Sequence, residues 1–247
     1  MPVVVGRLLI VALLALTWEL LSQYRVVDPR FLPALSDVVS TLAGILQRPN
    51  VVSDIATTLI EVGLGFTIAT LIGTLVGICI AESPYLATVI KPLLFFLLSI
   101  PKAIFLPLFI LAWGIGIPAK IAFGAFSAVF VVVMNTTAAV DSVRQDHVTI
   151  ARAWGASRPQ IFRYVYLPSM LPVMLETLRL TMIFNFTGVV LAEMYASRAG
   201  LGYLIVSWGE NFQMRQLLAG VLLVAAMAIT INESIRWIEV RCSHWRT

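Results

Sequence analysis

Residues 86–140 read LATVIKPLLFFLLSIPKAIFLPLFILAWGIGIPAKIAFGAFSAVFVVVMNTTAAV, a stretch with no acidic residue and only Lys91, Lys102 and Lys120 as charges. A helix needs about 20 apolar residues to cross a bilayer, so this stretch is too long for one crossing and about right for two. Two glycines and a proline in WGIGIPAK, Trp113 to Lys120, place the turn between them. One helix is expected over about 86–113, interrupted by Pro101 and Pro107, and the next over about 118–140. The rest of the chain has the same character. Its 247 residues are 60% hydrophobic and 12% charged, where a soluble domain carries about 25% charged residues. With 17 Lys+Arg and 13 Asp+Glu, a polar skin for a soluble globule is out of reach. The composition points to an all-α polytopic membrane protein. Its net charge of +4 then reflects cations at membrane boundaries rather than a nucleic-acid surface.

Toward the N-terminus, an apolar run from about Val3 to Leu21 has Arg7 at its start and Glu19 and Arg25 at its end. It is long for a secretion signal, and no small-x-small cleavage site follows in TWELLSQYR, so an uncleaved anchor is expected. Residues 1–53 are expected to hold this anchor and a short amphipathic helix lying at the interface. Ser36 is that helix's expected N-cap, and Val38, Val39, Leu42, Ile45 and Leu46 form its apolar face. Residues 54–247 are expected to form the core domain, whose first crossing runs from about Asp54 to Ile80. There Gly65, Ala69, Gly73 and Gly77 recur every four residues on one helix face. Such a stripe predicts close approach of another backbone, because lipid supplies no hydrophobic drive for helix pairing. Two more crossings are expected over about 172–193 and 215–237. Between them, SRAGLGYLIVSWGENFQMR is too interrupted to span and is expected to fold back against the outer surface. The sum is six transmembrane helices.

Basic residues set the orientation. With the N-terminus inside, the cytoplasmic segments hold Arg7, Lys91, Arg144, Arg152, Arg158, Arg163, Arg236, Arg241 and Arg246. The opposite side holds Arg25, Arg30, Arg48, Lys120, Arg198 and Arg215. The four arginines of the loop after residue 141 and the basic tail place both termini in the cytoplasm.

The polar stretch 141–170 carries the functional signal. Within HVTIARAWGASRPQIFRYVYLPSMLP, residues 147–172, a helical turn around Val148, Ile150 and Ala151 can be closed by Gly155 in a left-handed cap. After Pro159, Ile161, Phe162, Val165 and Leu167 offer an apolar face, with Arg158 and Arg163 exposed. Pro168 and Pro172 are expected to end this element and start the next span. Two readings follow from the residues alone: a helix that inserts into a groove on a soluble partner, or an interhelical loop held at the surface by arginines.

Ala151, three residues, Gly155, nine residues, then Val165-Tyr166-Leu167-Pro168 resembles the signature loop of ABC-transporter permeases of binding-protein-dependent importers. That pattern reads Glu-Ala-Ala, three residues, Gly, nine residues, an aliphatic residue, any residue, Leu-Pro. Here Thr149 stands in the place of its Glu and Ile150 in the place of its first Ala. FLPALSDVVSTL is similar to the family's Leu-Pro-x-Pro-x-x-Val element, with Leu35 replacing the second proline. SIPKAIFLPLFILAWGIG, VVMNTTAAV, ARAWGAS and LAEMYASRAGLGYLI resemble the branch that imports nitrate, sulfonates, taurine and similar small solutes. The resemblance implies a type I ABC importer permease with a cytoplasmic coupling helix, in a bacterial inner membrane. It implies two ATP-binding subunits, a second permease copy in a homodimer, and an extracytoplasmic solute-binding protein as partners. It also implies an ATPase-coupling loop of Ala151, Arg152, Gly155, Ala156, Val165, Leu167 and Pro168.

The residues are consistent with that division of labour. No G-x-x-x-x-G-K-[ST] loop is present to cradle phosphates, so the chain is not expected to be an enzyme and ATP is expected to be hydrolysed on partner subunits. No cofactor and no metal are expected: His147 and His244 stand outside any HExxH motif, and Cys79 and Cys242 form no CxxC. Pro101, Lys102, Asn135, Asn185, Thr187 and Glu193 are the candidates for the translocation path, because polar groups within spans usually face protein or water. For Lys102, attraction of an anion competes with snorkelling. For the two asparagines and Thr187, lining a path competes with bonding between helices. Glu176 and Arg179, three apart, are expected to pair. By the family resemblance, Glu193 is a gate or docking candidate. The rival readings are an ion-coupled secondary transporter, which calls for two related halves, an intramembrane enzyme, and a non-transporting scaffold.

Overall fold

The computed structural model describes residues 2–242; His244 and Arg246 of the basic tail lie outside them. The helices are α1 (Pro2–Gln23), α2 (Leu35–Ile45), α3 (Pro49–Glu82), α4 (Pro84–Ser99), α5 (Leu106–Trp113) and α6 (Ile117–Asp141). They continue with α7 (Gln145–Ala153), α8 (Arg158–Ile161), α9 (Leu167–Tyr195), α10 (Leu201–Glu210) and α11 (Met214–Cys242). A 3-10 turn, Lys102–Phe105, precedes α5, and a π-helical turn, Phe162–Tyr166, joins α8 to α9.

Among the described residues, five stretches are long and apolar enough to cross a bilayer: Val5–Gln23, Pro49–Glu82, Ile117–Asp141, Arg158–Tyr195 and Met214–Arg241. The remaining expected crossing is a bent pair, Pro84–Ser99 and Lys102–Trp113, at 89° to each other. The cause is Pro101. A residue before proline is driven out of the helical region, and Ile100 accordingly adopts φ −76, ψ 129. Pro107 does not interrupt anything. It lies in the first turn of α5, where its missing N–H is no loss.

The described helices sort into two compact units, one of residues up to Thr58 with Glu193–Met227, the other of Leu59–Ala192 with the chain from Ala228 onward. In the first unit, α1 is apolar on every side and largely exposed, from Leu8 and Leu9 to Leu14 and Leu16, the surface a lipid-facing helix presents. It is tied down at its end, where Trp18 Nε1 donates to the Pro33 carbonyl at 3.0 Å. Ser36 is not the N-cap of α2. The helix begins one residue earlier, and Glu19 of α1 accepts from the Ser36 amide at 3.1 Å and from its hydroxyl at 2.9 Å. A carboxylate from the preceding helix thus satisfies the open N-terminus that Ser36 was expected to close. The core of this unit gathers Val38 and Ile45 of α2, Val51 of α3, Leu201, Leu204 and Trp208 of α10, and Ala219 and Leu223 of α11. The segment expected to fold back against the outer surface forms a helix, α10, that packs into this core. Leu201, Leu204 and Trp208 fall at helical spacing and give α10 a buried face.

In the second unit, the small-residue face of α3 lies against α6. A Cβ at Gly73 would stand 2.5 Å from Val132 Cβ, and one at Gly77 would stand 2.6 Å from Thr136 Cβ and 2.9 Å from the Val133 carbonyl. Between them, Ala69 is buried with Ala125 and Ala128. Thr137 Oγ1 adds a hydrogen bond to the Gly77 carbonyl at 3.4 Å. On another face of α6, Phe109 of α5 packs against Phe123 and Phe126 at ring separations of 5.5 and 5.1 Å. Such contacts contribute about 0.5–1.5 kcal/mol each beyond area burial, which anchors the short half of the bent pair.

Candidate coupling loop and buried polar sites

The loop after α6 is built around α7. Gly155, at φ +78, closes this helix. Its amide donates to the Arg152 carbonyl at 2.9 Å, and the Ala156 amide donates to the Ala151 carbonyl at 3.0 Å. That pair of bonds is the Schellman motif, which needs a left-handed residue at Gly155 and an apolar contact between Ala151 and Ala156. Both alanines pack, with Val165, against the buried cluster of Ala139, Val143, Val148, Ile161 and Met170. One face of α7 is thereby fixed to the ends of α6 and α9. The opposite face is bare: Ile150 is 57% exposed and Trp154 is 87% exposed. Arg152 lies on the surface beside them. Thr149, in the place of the family's Glu, only donates to the Gln145 carbonyl of its own helix, at 2.9 Å.

The two prolines after the loop do not stop a helix. Residues from Arg158 to Tyr195 form one continuous helical run. A π-helical turn immediately precedes Pro168, with the Leu167 amide bonding to the Phe162 carbonyl. Proline clashes with the carbonyl four residues back and leaves it without a donor. Widening the turn just before it relieves that conflict, since local π adjustments re-satisfy the backbone groups a proline frees in a spanning helix. Pro168 is half-buried, and Leu167 is exposed.

Among the polar candidates within the spans, burial divides the set. Asn185 of α9 is fully buried. Its Nδ2 donates to the Val62 carbonyl of α3 at 2.8 Å, and its Oδ1 fills the space that side chains at Gly65 and Gly124 would occupy. Thr187 is exposed and donates to the Ile183 carbonyl of its own helix at 2.8 Å. Asn135 is half-buried on α6, and Pro101 is exposed at the bend. Lys102 is half-buried; its Nζ donates to the Leu98 carbonyl at 3.2 Å and lies 5.9 Å from the Phe184 ring centre. The expected Glu176–Arg179 pair does not form. Arg179 turns to α11, where its Nε donates to Asn232 Oδ1 at 3.0 Å, while Glu176 stays exposed.

Two polar arrangements were not anticipated from the sequence. Lys120, counted there as an outer boundary charge, is 2% exposed and forms an ion pair with Glu61, itself fully buried. Losing one member of a buried pair costs about 3–5 kcal/mol, because the other charge is left uncompensated. The spacing held a sign of it. Glu61 extends the stripe of Gly65, Ala69, Gly73 and Gly77 back by four residues, and Lys120, Gly124, Ala128, Val132 and Thr136 repeat the same interval on α6. The second arrangement is at the start of α10. The Gly200 amide donates to Asp54 Oδ1 at 2.8 Å, the Leu201 amide to Thr58 Oγ1 at 3.0 Å, and the Gly202 amide to Glu193 Oε2 at 2.8 Å. Thr58 in turn donates to Glu193 Oε1 at 2.6 Å. Three successive amides of a helix N-terminus are thus satisfied by side chains of α3 and α9. The signal available was negative: Gly200 stands at the cap position with no side chain of its own to accept.

Helices of this kind, a bent pair, a bare-faced loop helix and a proline-bearing span after it, can be set beside known proteins. Residues 69–241 match the family of binding-protein-dependent transport system inner membrane components. The chain belongs to that family. It is 30% identical over 240 residues to the taurine transport system permease protein TauC of Escherichia coli K12, covering 95% of this chain and 87% of that one. It is 27% identical over 239 residues to the putative aliphatic sulfonates transport permease protein SsuC of Bacillus subtilis 168, covering 97% and 87%. Among solved structures, a chain of the inward-facing MetNI methionine ABC transporter superposes with a TM-score of 0.68 at 21% identity, over 77% of this chain and 95% of that one. That likeness shows a shared fold. The chain is the transmembrane permease subunit of an ABC importer, a multi-pass protein of the inner membrane. Membership implies separate ATP-binding subunits and a solute-binding protein.

Proposed function

We propose that this permease works as a homodimer with two ATP-binding subunits, importing a small solute of the taurine, sulfonate or nitrate type, with both of its termini in the cytoplasm. Its α7 is the handle through which ATP-driven motion reaches the membrane. The observation that carries this reading is the two-sidedness of α7: Val148 is 1% exposed and locked in the core, whereas Trp154 is 87% exposed. A bare tryptophan beside an isoleucine and an arginine is the composition that interface anchors favour. The unbroken helical run from Arg158 to Tyr195 supports the rest. Beyond the Gly155 turn, a push that reaches Arg158 meets no break in the helix before Tyr195, so it tilts α9.

The solute assignment rests on likeness to TauC and SsuC over nearly the whole chain. Two variants test the coupling. With W154C in the purified complex, a thiol crosslinker is expected to capture the ATP-binding subunit. G155V places a β-branched residue at φ +78, a strain of about 1–2 kcal/mol, and is expected to lower uptake into vesicles while ATP hydrolysis and membrane insertion persist. Unchanged uptake together with an absent crosslink would dismiss α7 as the handle.

A further inference from the structure

We propose that Lys102 and Arg179 flank a cationic groove on α9 that selects an oxyanion-bearing solute within the membrane; the identity of the solute class rests on the function proposed above. The two are the cations that belong to neither set of boundary residues in the sequence. Arg179 stands about 18 Å along α9 from Leu167, at 1.5 Å per residue. In a hydrocarbon layer about 30 Å thick, that is far from both headgroup regions. An ionised side chain at such depth is costly and is retained for a purpose.

Neither cation meets a carboxylate among the described residues. Lys120 and Lys91, by contrast, are paired with Glu61 and Asp141. Lys102 reaches only the Leu98 carbonyl and the Phe184 ring. Arg179 is held by a neutral amide, so its charge is positioned without being cancelled. Because Asn232 Oδ1 accepts from the guanidinium, its amide nitrogen remains a donor. The result is two cations and an N–H donor that no carboxylate pairs with among the described residues; the one acid on this side of α9, Glu176, lies a turn toward Leu167 and bonds to neither cation.

Helical geometry brings these groups to one strip. Leu180, Ile183, Phe184 and Thr187 form the exposed side of α9, with Glu176 at its end toward Leu167. At 3.6 residues per turn, Arg179 borders that strip on one flank and Phe184, with Lys102 over it, on the other. A cavity of about 80 Å³ opens in the seam with α11, lined by Met182, Ile183, Thr187, Ala228 and Asn232 among others. It has room for a small anionic head beside the Asn232 amide.

Thr187 sits on the strip and can report its potential. The variant T187C, in a permease whose Cys79 and Cys242 are replaced by alanine, is assembled with its partner subunits in vesicles. The probes are sulfonatoethyl methanethiosulfonate, an anion, and its trimethylammonium counterpart, a cation, each scaled to its rate with a free thiol. The anion is expected to react faster. The ratio is expected to fall about tenfold when R179Q and K102Q are added, as for a charged cleft that concentrates counter-ions, and to persist in R179K. A ratio unmoved by R179Q and K102Q overturns the groove. So does a thiol that neither probe reaches, because the strip is then not a solute surface. Uptake in the same vesicles separates the two ideas. If the parent permease carries no taurine, sulfonate or nitrate, the solute reading fails, and the reagent ratio still decides whether the groove selects anions.

Discussion

Glu193 shows how much one buried carboxylate can organise. It is fully buried, yet it accepts from the Thr58 hydroxyl and from the Gly202 amide, at the positive end of α10. Replacing it with alanine would leave the Gly202 amide buried without its acceptor, at a cost of about 1–3 kcal/mol, and would leave the Thr58 hydroxyl only the Asp54 carbonyl at 3.2 Å. We expect E193A to lower the thermal unfolding temperature of the detergent-solubilised permease strongly, and E193Q to lose much less because it still accepts. Gly200 is the matching position. Its φ is +108, and a Cβ there would run into the Glu193 carboxylate. The role of Glu193 was not readable from its place at the end of an apolar helix, where a gate and a cap look alike. What distinguishes them is the loop that returns seven residues later with a capless glycine. The same holds for Ser36, a good capping residue by type, which gives up that role because Glu19 is close enough to do it.

At the scale of the element, the seam between α3 and α6 is set by what its side chains lack. Gly77 faces Thr136 and the backbone carbonyl of Val133, and backbone cannot swing aside as a flexible side chain can. Over-packing of this kind costs about 1–3 kcal/mol. G77V is therefore expected to lower the folded yield and the unfolding temperature, whereas a valine at Gly63, where a Cβ would meet nothing within 4 Å, should be close to neutral. Comparing the two by thermal unfolding in detergent separates the effect of the seam from that of helix propensity. This stripe could be read from the sequence because a helix face is a local repeat. Its partner was harder to read: Lys120 to Thr136 keeps the same four-residue interval but mixes charged, small and branched residues, and nothing in composition marks it as a face.

For the whole molecule, the bent pair at Pro101 decides the topology. Given the cytoplasmic N-terminus proposed above, a pair that crosses puts Arg144, Arg152, Arg158 and Arg163 in the cytoplasm with both termini, and a pair that turns back puts the four arginines and the C-terminus outside. Burial of Lys120 in an ion pair removes it from the boundary charges, which widens the excess of Lys and Arg on the side proposed to be cytoplasmic. Reporter fusions at the two termini are expected to be active on the cytoplasmic side, and one in the Trp113–Lys120 turn on the other. A C-terminal reporter found outside would establish the re-entrant form.

Apolar run length, proline and glycine punctuation, and the spacing from Ala151 to Pro168 lie along contiguous chain, and hydration and backbone geometry act on such stretches directly. The membrane class, most of the spans and the loop that marks the family were therefore already present in the order of residues. The partners of the polar groups were not. Glu61 finds Lys120, Arg179 finds Asn232, and Asp54 and Thr58 find the start of α10, each across a long stretch of chain. In a low-dielectric interior every such group must be satisfied, but which acceptor stands beside which donor depends on helix packing, and that arises only once the chain has folded.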